Sequence, residues 1–260
     1  LACPSGSDYC HDARCGDGFG DYVDPVVSVL GGAVDDQLNS FYASNNSNRY
    51  ANLFNKLSPV GEAWAAVCTR PSSALCINEV RTGTYSACSI DATPYVLDGT
   101  ITLTYSGTPN CGFSSVGDSV TRTLNVTRTI NNNGVVTTSS DASVDRRGIT
   151  IGGGTRITIA GTTDFGVDIL GIHKTLVQNS VKMYDLLLRT TSTISVSGGL
   201  ARAGRVLNGG TLEVVTSNNQ YNFVPDNLAD DAGCCYPVSG SLHFSESGAF
   251  TGTGTIFFTS

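Results

Sequence analysis

The residues best able to do chemistry are nine cysteines and a set of aspartates crowded near the start of a 260-residue chain. Cys10, His11 and Cys15 lie close enough to suggest a zinc site. A structural zinc needs four ligands, however, and no second pair with matching spacing follows, so a local disulfide is the better account. Asp12, Asp17, Asp21 and Asp24 are interleaved with Gly16, Gly18 and Gly20. A flexible loop of carboxylates is what a hard cation such as calcium takes, but the spacing is not that of an EF-hand and a solvated acidic loop is the better account. Asp226, Asp230 and Asp231 form a second, weaker acidic group. No other cofactor is indicated.

Other constellations are thinner. Gly117-Asp118-Ser119-Val120 superficially resembles an esterase nucleophile block, but its serine opens a threonine-rich strand rather than a strand-to-helix turn. His11, His173 and His243 have no sequence neighbours that suggest a triad. Glutamates are scarce, and Glu213 and Glu246 both fall on what alternation makes the polar face of a strand. A glycan-processing hydrolase would need two carboxylates facing each other across a cleft. No catalytic residue is assigned, and the sequence does not by itself name an activity.

Cysteine usage says more about compartment than about catalysis. Nine cysteines with a single methionine point to an oxidising environment. Leu1-Ala2-Cys3 looks like the end of a bacterial lipobox, in which Cys3 is acylated; the alternative is an ordinary disulfide at Cys3. With Cys3 set aside, Cys10, Cys15, Cys68, Cys76, Cys88, Cys111, Cys234 and Cys235 remain for four bridges. Proximity favours Cys68 with Cys76 and Cys88 with Cys111, yet eight cysteines allow 105 arrangements. A disulfide between adjacent residues is strained, so Cys234 and Cys235 are expected to pair elsewhere.

Charge narrows the partners. Net charge is -7, the pI is near 4.8 and charged residues make up only 14%. Phosphate neutralisation needs clustered Lys and Arg, so nucleic acid is not an expected partner. No stretch approaches the roughly 20 apolar residues of a spanning helix, so any membrane attachment is expected to be covalent, through a lipid anchor, or peripheral. Asn45-Asn46-Ser47 and Asn125-Val126-Thr127 are glycosylation sequons, relevant only in a eukaryotic source.

The elements that must position these residues are mainly strands. From Thr121 to Ile130, Leu124, Val126 and Ile130 alternate with threonine and asparagine, the pattern of an antiparallel strand with one buried face. The pattern recurs at Ile101/Leu103/Tyr105, Ile149/Ile151, Ile157/Ile159, Ile194/Val196, Leu212/Val214, Leu242/Phe244 and Ile256/Phe258. Asn131-Asn132-Asn133-Gly134 supplies a hairpin turn, and Val206 to Val215 reads as another, turning at Asn208-Gly209-Gly210. Ten to twelve strands are too many for a flat open sheet. The expectation is therefore mainly β: an antiparallel sandwich or strongly curled sheet over 93–260, with a small N-terminal helical region packed on it. That region, 1–92, is a disulfide-stapled lead-in with helices expected over 25–44, 49–57 and 59–68, the last carrying Trp64, and an irregular connector over 69–92. The apolar runs Leu186-Leu187-Leu188 and Val167 to Ile172 suggest strands covered by those helices.

Leu1-Ala2-Cys3, the Asp168-Ile-Leu-Gly-Ile-His-Lys174 strand and Cys234-Cys-Tyr-Pro-Val-Ser-Gly240 with its Thr/Gly-rich strands together resemble uncharacterised exported surface lipoproteins of predatory and related bacteria. The resemblance covers the first three residues and about the last 140. It implies an exported protein of the outer membrane, cell surface or extracellular space, and specifies no activity. The function expected is a disulfide-stabilised cell-envelope protein, structural or adhesive and non-enzymatic, with a surface protein or glycan as partner. Other readings are a carrier of an apolar ligand such as a lipid, a glycan-processing hydrolase, and a self-assembling fibre subunit joined through exposed edge strands.

Overall fold

Alternating β-branched and apolar residues favour extended chain, and every regular element among the described residues is a strand. The computed structural model describes residues 68–69, 74–89, 95–132, 135–145, 148, 152–199, 204–231 and 237–259. In chain order the strands are β1 (Cys68–Thr69), β2 (Val80–Ser89), β3 (Tyr95–Ser106), β4 (Ser119–Asn132), β5 (Val135–Ser143), β6 (Gly154–Ile159) and β7 (Phe165–Gln178). They continue as β8 (Val181–Ser192), β9 (Ile194–Ser197), β10 (Val206–Asn208), β11 (Thr211–Val215), β12 (Asn219–Ala229), β13 (Ser239–Gly248) and β14 (Gly252–Thr259). All fourteen belong to one antiparallel sheet.

The sheet is a meander in which three positions are each filled by two strands laid end to end. β4 pairs with β3 along one edge, and with β5 and then β6 along the other. β7 receives β5 and β6 on one side, and β8 and β9 on the other. β11 and β10 continue from β8 and β9, and both pair with β12. β13 and β14 complete the order.

Inward residues form one apolar cluster. It runs from Leu103 and Val120 through Ile157, Ile169, Ile172, Leu188, Ile194, Leu212 and Phe223 to Leu242. A smaller cluster on the same face joins Cys88, Leu97, Leu124 and Val126. Keeping one face apolar across broken strands requires each irregularity to shift side-chain phase by one residue, because a slip of one residue inverts a strand. β7 shows this: Val167 and Ile169 point inward, the register then shifts, and Ile172 points inward next. Gly171 lies at that shift, where an added Cβ would stand 2.3 Å from the carbonyl oxygen of Val144. The same change occurs between Tyr85 and Cys88, where the Ala87 amide donates to Asp98, and in β12 between Phe223 and Leu228 around Asn227. Such bulges bend their strands and increase local twist.

Several expectations need correction. Val206 to Val215 is not a hairpin: β10 and β11 run in the same direction along β12, with Leu207 opposite Leu228 and Leu212 opposite Phe223. Gly209 and Gly210 both have positive φ, but they kink one line of chain instead of reversing it. The 69–92 segment is not an irregular connector, since β2 occupies ten residues of it. Its inward positions include Arg81 and Gly83, so apolar alternation did not mark it. The apolar run Leu186-Leu187-Leu188 alternates normally, with Leu186 and Leu188 buried inside and Leu187 partly exposed on the other face. The helices expected over 25–44, 49–57 and 59–68, with Trp64, lie outside the described residues, except that Cys68 belongs to β1. The pair Ile149/Ile151 also lies outside them.

Buried charge reinforces the ladder. Arg205, 1% exposed, donates from Nε and Nη2 to Oδ2 of Asp230 at 2.7 and 2.5 Å, just where β10 meets β12. Removing one partner of such a pair leaves a buried charge and costs about 3 to 5 kcal/mol. On the opposite side of the sheet Arg156 pairs with Asp168, which also accepts from Thr193 Oγ1 at 2.6 Å.

Gly210→Ala tests the kink. The new Cβ would meet the Thr193 carbonyl oxygen at 2.4 Å and Ile194 Cα at 2.6 Å, at a residue with φ of +72°. Both neighbours are backbone, so the strain cannot relax into a side-chain rotamer. A stability loss of about 2 kcal/mol or more is expected, read as a lower urea midpoint at unchanged m-value.

Candidate functional site

The most heavily constrained surface feature is the tip formed by residues 74–79 and the β3–β4 loop, 107–118. Asn78 and Glu79 both have positive φ, the requirement of a tight I′-type reversal, and Ile77 and Val80 exchange amide hydrogen bonds at 3.0 Å across it. The turn sends Leu75-Cys76-Ile77 back alongside the start of β2. Cys76 is disulfide-bonded to Cys111, which holds this arm to the neighbouring loop.

Two carboxylates order the loop. Glu79 accepts the amides of Asn110 at 3.0 Å and Cys111 at 2.6 Å, consecutive residues that both adopt positive φ. Asp118 accepts from the Thr108 amide, the Thr108 hydroxyl, and the Ser114 and Ser115 amides, at 2.7 to 2.9 Å. The Thr108 hydroxyl, followed by those serine amides, holds the Asp118 carboxyl well below the usual carboxylate range, against the opposing effect of burial. Hydrogen bonds between Gly117 and Ile159, and between Ile159 and Asp118, both at 2.9 Å, tie the loop to the end of β6.

This framework presents apolar side chains to solvent. Leu75 is 81% exposed, Ile77 63% and Val116 71%. Phe113 packs instead against the main core and roots the loop there. An arm and loop joined by a disulfide and fixed by six charge-assisted hydrogen bonds hold these aliphatic groups without the entropy cost of ordering them on contact.

Cys76, Glu79 and Cys111 place ligand-type atoms within 4.8 Å of one another. The two sulfurs are bonded to each other and are not available as thiolates, so the cluster is a structural staple. Both proximity pairings are therefore corrected: Cys111 joins Cys76 rather than Cys88, and Cys76 joins Cys111 rather than Cys68. The four residues lie on neighbouring strands and loops, and only the register selects among them. Cys88 is also disulfide-bonded. Cys3, Cys10, Cys15, Cys234 and Cys235 lie outside the described residues, as do His11 and the calcium candidates Asp12, Asp17, Asp21 and Asp24; the side chain of Cys68 does too.

The other sequence candidates are separated or committed. Ser119 begins β4, and Asp118 is occupied with the loop, so Gly117-Asp118-Ser119-Val120 forms no nucleophile turn. Glu213 is buried, not solvated, and bonds Arg189 and the Gln220 amide. It aligns across the ladder with Asn222 and Ser245, whereas Glu246 aligns with Tyr221 and Val214. The two glutamates thus lie on opposite faces and cannot flank one glycosidic bond. Asp230 is committed to Arg205 and Asp226 lies near His243, so these two do not act as one cation site.

Register also assembles groups that sequence spacing concealed. His243 sits opposite Thr255, with Nδ1 2.9 Å from its hydroxyl, and Nε2 lies 3.8 Å from Asp226. The order is that of nucleophile, base and orienting acid, but 3.8 Å is too long for the hydrogen bond that fixes a catalytic imidazole. His173 and Lys182 both contact Asp185, with Lys182 the larger cause of its lowered pKa. The His173–Asp185 contact crosses from β7 to β8, whereas Lys182 and Asp185 lie three residues apart on β8.

The loop carboxylate predicts a pH response. Because the folded pKa of Asp118 lies below its unfolded value, its stabilisation is present above the ordinary carboxylate range and is lost as pH falls through the folded value. Asp118→Asn should lower the melting temperature at neutral pH and flatten its decline at strongly acidic pH relative to wild type. Thermal melts from pH 7 to pH 2 would show this, and parallel curves would contradict it. Comparison of the chain with protein-family models, with curated proteins and with solved structures found no match.

Proposed function

We propose that this protein is an exported, disulfide-stabilised component of a bacterial cell envelope, structural or adhesive and non-enzymatic, whose contact surface is the disulfide-pinned tip. The observation that carries the reading is the exposure of Leu75, Ile77 and Val116 on a tip held by Cys76–Cys111, Glu79 and Asp118. Exposed aliphatic groups on a rigid support suit recognition of an apolar surface, and a protein partner fits them better than a glycan. Disulfides persist in oxidising compartments, which supports export. The Arg156–Asp168, Arg189–Glu213 and Arg205–Asp230 pairs support a structural role for much of the charge. The strong curling of the sheet, the packing of the expected helices on it and acylation at Cys3 belong to the same proposal.

The test is binding of the purified chain to intact bacterial cells and to envelope fractions. Replacing Leu75, Ile77 and Val116 together by Asp should weaken binding about tenfold or more while circular dichroism remains that of the wild type. Cys76→Ser with Cys111→Ser should also weaken it, and should cost about 3 to 4 kcal/mol of stability through loss of the 35-residue closure. Undiminished binding by the triple-Asp variant would overturn the assignment of the tip as the contact surface.

A further inference from the structure

The two ends of the sheet are built differently. Beyond β2 lies the two-residue β1, and β2 itself carries Arg81 and a bulge at Ala87, with φ of +47°. A short neighbour, a charge and a bulge are the devices that keep an edge from adding further strands. β14 has none of them. Its sequence, Gly-Thr-Gly-Thr-Ile-Phe-Phe-Thr, contains no charged residue and no proline. It pairs with β13 in unbroken register from Ser239 opposite Thr259 to Glu246 opposite Gly252. Among the described residues β13 is its one neighbour.

The side chains on this edge are also unusual for solvent. Phe257 is 75% exposed, and Phe250, just before the strand, is 65% exposed. Ile256 and Phe258 point the other way and pack against the main core, so β14 is anchored on one face and carries Phe257 among threonines on the other. Gly254 lies against the ring of Phe244, where an added Cβ would come within 2.6 Å, which keeps the strand flat against β13.

We propose that β14 is a pairing edge for a second copy of this chain, joined antiparallel to the same strand of its partner about a two-fold axis. The charge pattern selects that occupant. In a protein of net charge -7 two copies repel, and β14 opposed to β14 brings no charged side chain of that strand against its like. One two-fold pairing also satisfies both edges at once, whereas joining β14 to β2 of the next copy would meet Arg81 and the Ala87 bulge. A register matching odd-numbered positions to odd keeps both Phe257 rings on the same face of the joined sheet, within reach of cross-strand contact. The result is a closed dimer with a continuous sheet, and it does not depend on the envelope role.

Sedimentation of the full chain over rising concentration is the test. The wild type should show a monomer–dimer equilibrium. Phe257→Lys places a charge on the edge at an exposed position and should weaken association about tenfold or more with the circular dichroism spectrum retained. Thr253→Lys, on the same face at the other end of the strand, should act in the same direction and serves if Phe257→Lys fails to fold. Dimer regained on mixing Phe257→Lys with Phe257→Glu chains would support pairing between copies of this strand. A wild type that stays monomeric up to about 1 mM, a dimer untouched by both lysine variants, or open-ended polymers would each overturn the proposal.

Discussion

A strand has only two faces, and the fold depends on keeping the same face apolar from β2 to β14. Side chains alternate with period two, so any inserted residue would turn the remainder of its strand inside out. The chain meets this constraint by letting irregularities occur together in neighbouring strands. β10 and β11 change phase between Leu207 and Leu212, and β12 changes phase opposite them between Phe223 and Leu228. The two shifts cancel, register is preserved, and the apolar cluster continues unbroken. Gly210 sits where this requires close backbone approach, and a side chain there has no room.

Polar groups follow the same geometry. Because the inward face is apolar, charge that enters the sheet must be paired where strands meet. Arg205 and Asp230 do so at the meeting of β10 and β12; on the outward face Arg189 pairs with Glu213 between β8 and β11. Pairs of this kind add less net stability than their Coulomb attraction suggests, since both charges lose water. Their effect is to penalise a slipped register, in which one partner would be buried alone. Threonine serves the ladder at lower cost: Thr190 Oγ1 accepts the Ile169 amide at 3.0 Å inside the sheet.

Two places depart from the economy of an inert surface. At the tip, hydrogen bonds and a disulfide are concentrated around residues whose apolar side chains face solvent. Among the described residues β14 is an uncharged strand paired on one side, by β13. Both features sit at the periphery, where changing them leaves the central ladder intact. His173 and His243 each make a contact that spans adjacent strands.

Much of the architecture was legible in the chain itself. The alternation around Leu124 and Val126, the turn residues from Asn131 to Gly134 and the glycine pairs announced an antiparallel sheet with bulges, because backbone preference and period-two burial are local properties. Pairing was not legible. Asn208-Gly209-Gly210 suits a reversal as well as a kink, and only its neighbours Thr193 and Pro225 decide which occurs. Cys76 could have met several sulfurs by sequence distance, and the β2–β3 register brings it to Cys111. Glu213 and Glu246 looked alike until the β11–β12–β13 ladder placed them on opposite faces. Local sequence thus determined which segments extend and which side of each prefers burial. Which segments meet, and therefore which side chains share a site, was decided by tertiary structure, because register is a relation between strands distant in the chain.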